Sequence, residues 1–438
     1  MMLTLLAFLM VATFMTLIMT KRLSALIALI VVPTIFALIA GFGAGLGEMM
    51  LAGVRDLAPT GVMLLFAILY FGLMIDVGLF DPLVKTIVRI VHGDPMRICI
   101  GTAVMTLIVA LDGDGTTTYM ITVSALLPLY RHMKMDVRIM ACLIMMSVAV
   151  MNIVPWGGPT TRAALALGVD PRELFVSLIP AMATTAIWVL FVAWIFGRRE
   201  RTRLAKLPAD AVDEEATGEE VIREQMDGDH RRPGLFWFNL ALTLTLLGML
   251  IGGSIPLVIL FMGAFAIAAA VNYPNLQQQK ERIAAHAGNA MATVSLVFAA
   301  GIFTGILSGT KMVDAMASSV IAVIPDALGP YMAPITALLS MPFTFLISND
   351  AFYFGMLPVL AGTGAEYGVT PMEMARASLV GQQIHLLSPL VASTYLLVGM
   401  SGIELGDHQK YIFRWAVGAC FVFMATCLLT GLFPLHAG

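Results

Sequence analysis

Charge is scarce in this sequence. Asp, Glu, Lys and Arg make up 12% of its 438 residues, about half the roughly 25% usual for soluble domains, which excludes a solvated globular fold. Excess charge of one sign is also missing, and a net value of −3 leaves no basic surface for a nucleic acid. The four cysteines, Cys99, Cys142, Cys420 and Cys427, all lie in apolar runs and none forms a CxxC. They read as small buried hydrophobes, with neither a disulfide framework nor a metal site. The first 20 residues lack a basic n-region and an A-x-A cleavage site, and Lys21-Arg22 follows them, so they read as a retained first helix.

Apolar residues account for 59% of the chain and the mean hydropathy is +0.90, the composition of an all-α polytopic membrane protein. At about 20 apolar residues per crossing, helices are expected near 3–20, 23–42, 60–80, 137–157, 174–197, 235–252, 255–273, 287–308, 374–400 and 409–433. The amphipathic stretch 81–92 reads as interfacial, and 312–324 occupies the same place in the second half. One long polar insert, 198–234, opens with Arg198, Arg199, Arg201 and Arg203, turns acidic at Asp213-Glu214-Glu215 and closes at Arg231-Arg232-Pro233. It separates a first half, 1–197, from a second, 235–438.

Two regions resist this count. Residues 98–129 are interrupted by Asp112-Gly113-Asp114-Gly115, and residues 331–360 by Ser348-Asn349-Asp350. Each flank spans roughly 21 to 25 Å as helix, short of a bilayer core of about 30 Å, so both regions read as re-entrant hairpins. With hairpins, Lys and Arg divide 20 to 5 across the membrane; a single crossing at 98–129 erases that bias. The positive-inside rule then puts both termini outside and the linker 198–234 in the cytoplasm. Five crossings per half make the halves inverted repeats. At an offset of 230, Pro128 and Pro159 fall on Pro358 and Pro389, Asn152 on Gln382, and Gly158 on Ser388. Paired interrupted segments of this kind mark the binding site of a secondary transporter.

The chemistry concentrates at these interruptions, because ionisable groups inside a membrane are costly. Gly113 and Gly115 permit a tight turn, and a half-helix starting near Thr116 and Thr117 presents unpaired N–H groups to an anion. Asp112 and Asp114 oppose a free anion, so a proton on one acid or a metal ion has to accompany it. The plainer reading makes them helix caps. Ser348, Asn349 and Asp350 offer hydroxyl, amide and carboxylate before the second half-helix, and Phe352, Tyr353 and Phe354 beyond them read as packing. A broken helix follows each hairpin: Asn152 through Trp156, Gly157, Gly158, Thr160 and Arg162, and Gln382 through His385 to Ser388. His385 reads either as a proton site or as a hydrogen-bonded structural residue, and Arg162 as a carboxylate clamp or an exterior loop residue. The Asp-x-Asp-x-Thr phosphatase signature needs a soluble α/β domain, and the intramembrane aspartyl protease pattern fails at Leu111 and lacks any Tyr-Asp. An enzyme is not expected.

The chain closely resembles the bacterial citrate-divalent metal:proton symporter family of the ion transporter superfamily. The resemblance rests on Met19-Thr20-Lys21-Arg22-Leu23-Ser24, Leu69-Tyr70-Phe71-Gly72, Gly78-Leu79-Phe80-Asp81-Pro82, Leu111 to Thr122, Pro155-Trp156-Gly157-Gly158, and Ser348 to Gly355. It implies an elevator-type carrier in the bacterial inner membrane, with a scaffold domain, a moving transport domain that holds both hairpins, and a homodimer. Sodium-coupled relatives carry Ser-Asn-Thr at both tips. Asp112-Gly113-Asp114 and Ser348-Asn349-Asp350 depart from that and fit a substrate that brings its own cation. The expected cargo is citrate complexed with Mg²⁺ or Ca²⁺, with protons as coupling ion and no permanently bound cofactor. Asp112, Asp114 and Asp350 then face the metal, and the same three with His385 are candidates for proton coupling. The alternatives are a metal-free carrier of another di- or tricarboxylate and, in another class, a passive channel or a membrane enzyme.

Overall fold

The computed structural model describes residues 2–20, 22–90, 94–113, 115–206, 230–253, 255–321, 326–388 and 391–437. All regular structure among them is helical. The first half contains α1 (Met2–Met19), α2 (Ala25–Ile39), α3 (Leu46–Asp76), α4 (Asp81–Ile90), α5 (Pro95–Val109), α6 (Gly115–His132), α7 (Val137–Met151), α8 (Gly158–Leu167) and α9 (Pro171–Leu204). The second half repeats that order: α10 (Phe236–Gly252), α11 (Leu257–Asn272), the long α12 (Leu276–Gly309), the short α13 (Met312–Ile321), α14 (Met332–Leu346), a π-helical turn (Ala351–Met356) running into α15 (Leu357–Glu366), the segments α16 (Pro371–Ser378), α17 (Gln382–His385) and α18 (Ala392–Ser401), and α19 (Leu405–Leu429). The counterparts α3 and α12 start 230 residues apart.

Among the described residues, six helices are long and apolar enough to cross a membrane: 43–76, 95–112, 171–204, 233–252, 290–309 and 405–429. Shorter apolar helices cover 2–18, 25–39, 137–151 and 257–272. The stretch 95–112 reaches that length only by adding a 3₁₀ turn at Ala110–Asp112 to α5. After Gly113, α6 runs back beside α5, where the Thr102 and Tyr130 hydroxyls meet at 3.1 Å, so the region is a helical hairpin with Asp112-Gly113 at its tip. The second hairpin closes at its base, where Gly364 faces the Met332 side chain.

Several boundaries differ from those the sequence suggests. Helix α3 begins at Leu46, not near 60, and α12 at Leu276, not near 287. Small residues pack the added turns of α3 against α12. Gly301, Gly305 and Gly309 recur every fourth residue along α12, and Gly53 of α3 fits among them. A Cβ on Gly305 would lie 2.3 Å from the Met49 carbonyl oxygen, and one on Gly53 would lie 2.0 Å from that of Gly301. Such glycine contacts let two backbones touch inside a membrane, where burial of apolar surface provides no drive for helix pairing. Helix α9 continues past 198, where the polar insert opens, to Leu204. Its last turns are held by ion pairs from Arg201 to Asp94 at 2.6 Å and from Arg203 to Glu200 at 2.7 Å. Residues 207–229 of the linker lie outside the described residues. The crossing expected at 374–400 is instead three short segments, α16, α17 and α18.

A side chain at Gly305 has backbone to displace, and overpacking costs about 1–3 kcal/mol even where side chains can yield. Gly305→Val is expected to lower the melting temperature of the purified protein and its yield from membranes. Gly248→Ala, which points into open space, leaves both unchanged in the same thermal melt.

Candidate functional site

A cavity of about 470 Å³ lies where the first hairpin tip meets the start of α8. Asp112, Gly113, Thr116, Trp156, Gly158, Thr161 and Arg162 line one side, with Phe354 from the π-helical turn; Leu64 and Ile68 of α3 and Thr293, Leu296 and Val297 of α12 line the other. Its volume falls in the range typical of small-molecule sites. The cavity therefore sits between the glycine-paired α3 and α12 and the elements that carry the polar groups.

The tip is built by two local choices. Gly113 has φ +75°, and a Cβ there would lie 2.8 Å from Trp156 Cδ1, so both backbone conformation and contact demand glycine. The Trp156 Nε1–H donates to the Leu111 carbonyl at 3.0 Å, docking the broken segment onto the tip. The same indole stacks on Phe71 at 5.0 Å and meets Phe261 edge-on at 5.1 Å, which ties the tip to α3 and α11. Asp112 accepts from the Thr118 hydroxyl of α6 at 3.3 Å and lines the cavity. Gly115 opens α6, and Thr117 sits in its first turn away from the lining. Asp114 lies outside the described residues.

The break between α7 and α8 follows from its prolines and glycines. Helix α7 ends at Asn152, whose carbonyl oxygen leaves room only for a glycine at 157. The chain then folds on itself through hydroxyl bonds, Thr160 to the Ile153 carbonyl at 2.8 Å and Thr161 to that of Pro155 at 3.2 Å. Helix α8 starts after Gly157 with no side-chain cap, and its first residue, Gly158, lines the cavity, so the positive end of the helix lies beside it. Arg162 is not an exterior loop residue. Its Nε–H donates to Asp350 Oδ1 at 2.6 Å across 188 residues of sequence, in a partly buried ion pair that joins the two halves. A side chain on Gly158 would press within 2.8 Å of Arg162 Nη1, so that glycine makes room for the guanidinium.

Among the second-half candidates, only Phe354, expected to pack, lines the cavity. Ser348 Oγ accepts from the Ala351 N–H at 3.2 Å, as a cap. Asn349 Oδ1 is enclosed without a hydrogen-bond partner among the described residues. Gln382 donates to the Tyr353 hydroxyl at 2.7 Å, His385 Nδ1–H to the Thr344 carbonyl at 2.8 Å, and Ser388 to the Phe345 carbonyl at 2.7 Å. Thr344 and Phe345 lie in the last turn of α14, where carbonyls have no donor within the helix. His385 and Ser388 supply those donors, which accounts for their place without substrate contact. Asp350 is held by the Arg162 guanidinium, and among the described residues no three His, Cys, Asp or Glu side chains cluster. The apolar wall from α3 and α12 carries no ionisable signal that distinguishes it from lipid-facing sequence.

Trp156→Phe keeps the ring stack and removes the donor to Leu111. A loss of about 0.5–1.5 kcal/mol of stability is expected, read as a small drop in melting temperature, with Trp156→Ala falling further.

Comparison with known proteins gives one consistent picture. A family profile described as citrate transporter matches residues 1–381. A citrate transporter of Bacillus subtilis (strain 168) is 57% identical over 434 residues, covering 98% of this chain and 99% of the relative. A Mg²⁺/citrate complex secondary transporter of the same organism is 53% identical over 435 residues, with 98% and 99% covered. Two solved structures share the fold at low identity. The YdaH transporter of Alcanivorax borkumensis has a TM-score of 0.59 at 13% identity, covering 88% of each chain. MtrF of Neisseria gonorrhoeae, of a class of antimetabolite efflux pumps, has a TM-score of 0.63 at 14% identity, covering 90% of this chain and 87% of its own.

Proposed function

This chain belongs to the citrate transporter family, and from that membership we propose that it is a secondary transporter that takes up citrate as a complex with a divalent metal ion, coupled to protons. The observation that carries the metal-complex reading is the charge of the cavity. Arg162, the cation in its lining, is already paired with Asp350, while Asp112 lines the same space. Free citrate carries about three negative charges near neutral pH and its complex with a divalent ion about one. A site whose single guanidinium is half-spent, beside an acid, favours the complex. Asp112, joined by Asp114, faces the metal, a hard ion such as Mg²⁺ or Ca²⁺ that prefers oxygen ligands. The uncapped amides of α8 and the remaining Nη–H groups of Arg162 take the free carboxylates.

The repeated order of elements supports an inverted pair of repeats, 1–197 and 235–438, with hairpins near 98–129 and 331–360 that enter the membrane from opposite sides. The 20 to 5 division of Lys and Arg favours both termini outside and the linker 198–234 inside. The cavity lies against the α3–α12 pair. An elevator motion would slide the block carrying both tips along that pair, in a homodimer. Proton coupling rests on the acids of the tips, Asp112 and Asp114.

Reconstituted protein is expected to accumulate radiolabelled citrate with Mg²⁺ and to lose that uptake in excess chelator. Equal uptake in chelator would favour a metal-free carboxylate carrier. Asp112→Asn is expected to abolish uptake while the protein still purifies as a folded, monodisperse species; near-normal transport removes Asp112 from the site. For topology, a cysteine replacing Glu215 in a background lacking the four native cysteines is expected to resist an impermeant maleimide on intact cells and to react in inverted vesicles.

A further inference from the structure

The pairing of Arg162 with Asp350 has a consequence for which form of the substrate is accepted. The two residues come from opposite halves of the chain, and their side chains retain 23% and 17% of their exposure. At a partly buried position a unit charge is felt over several ångströms, because the effective dielectric is far below that of water. The bond uses Arg162 Nε, so the guanidinium can still present its Nη–H groups to a carboxylate. The other titratable groups nearby are engaged elsewhere. His385 donates to the Thr344 carbonyl and Tyr353 accepts from Gln382. Asp350, which is not among the residues that line the cavity, is therefore the carboxylate bonded to the guanidinium.

We propose that Asp350 is a specificity residue: by cancelling the charge of Arg162 without displacing it from the cavity, it makes the carrier select the singly charged metal complex of its polycarboxylate over the free, multiply charged anion. The inference rests on the metal-complex reading given above. An isolated guanidinium attracts a trianion more strongly than a monoanion; a neutralised pair loses that advantage, and Asp112 turns the preference toward the form that carries a cation. Gly158 belongs to the same device, since it leaves the guanidinium room beside the start of α8.

Asp350→Asn tests the charge with little change of shape, because an amide oxygen still accepts from Arg162 Nε. The full-length protein in proteoliposomes is assayed for citrate uptake with excess Mg²⁺ and with excess EDTA, and the ratio of the two rates is the readout. Asp350→Asn is expected to lower that ratio by about tenfold or more, the scale of removing one charge from a partly buried site. Asp350→Glu keeps the wild-type ratio. The double variant Arg162→Gln, Asp350→Asn removes both charges and is expected to restore preference for the metal complex, at weaker affinity. Calorimetric titration of the same purified proteins with citrate, with and without Mg²⁺, reads the preference without turnover. A wild-type ratio in Asp350→Asn overturns the proposal, as does a double variant that behaves like Asp350→Asn. So does an Asp350→Asn protein with normal melting that binds neither form, because Asp350 would then be a direct ligand contact. A wild-type protein indifferent to Mg²⁺ refutes the metal-complex reading itself, and that arm is read before any variant is compared.

Discussion

A helix that ends inside a bilayer leaves carbonyl and amide groups that no water can satisfy, and much of this structure is arranged around that constraint. Helix α14 stops at Leu346, and the exposed carbonyls of Thr344 and Phe345 receive donors from His385 and Ser388. The 3₁₀ turn before Gly113 exposes the Leu111 carbonyl, and the Trp156 indole supplies its donor. In each half the broken segment serves as the cap for the hairpin that precedes it. The hairpins and the breaks are thus two parts of one solution, and polar side chains at the breaks need not contact a substrate to be required.

What remains after this capping is the set of groups around the cavity. The start of α8 has no side-chain cap, Asp112 lines the cavity, and Arg162 reaches it while bonded to Asp350. The start of a helix and one guanidinium, placed beside Asp112, combine opposite charges in one small volume. That combination suits a cargo that is itself mixed in charge. The opposite wall is apolar and comes from helices that touch backbone to backbone through Gly53, Gly301 and Gly305. Such contact has no long side chains to reorganise, so it provides a stiff surface.

The second half is a repeat of the first in order but not in use. Asp112-Gly113 borders the cavity directly, whereas Ser348-Asn349-Asp350 acts through caps and through the ion pair, and only Phe354 beyond it reaches the lining. The two tips therefore sit differently, one bordering the cavity and the other holding Arg162. The enclosed Asn349 Oδ1, without a partner among the described residues, is the polar atom of the second tip that this division leaves unexplained.

The sequence by itself determined the membrane class, the interruptions at Asp112-Gly113 and Ser348, and the breaks between Met151 and Gly158 and after His385, because each is a local departure from apolar helix that a bilayer penalises strongly. It missed the early starts of α3 and α12 and the helical first residues of the linker, because Glu48, Arg55 and Asp56, or Arg198 to Leu204, read as polar when counted residue by residue. Only the tertiary structure decided that glycines on α3 and α12 meet, that His385 and Ser388 serve α14, and that Arg162 belongs to Asp350. Those facts depend on which surfaces face each other across 188 or more residues. Helical periodicity records that a surface is apolar or polar; the partner that covers it is fixed only when the chain is packed.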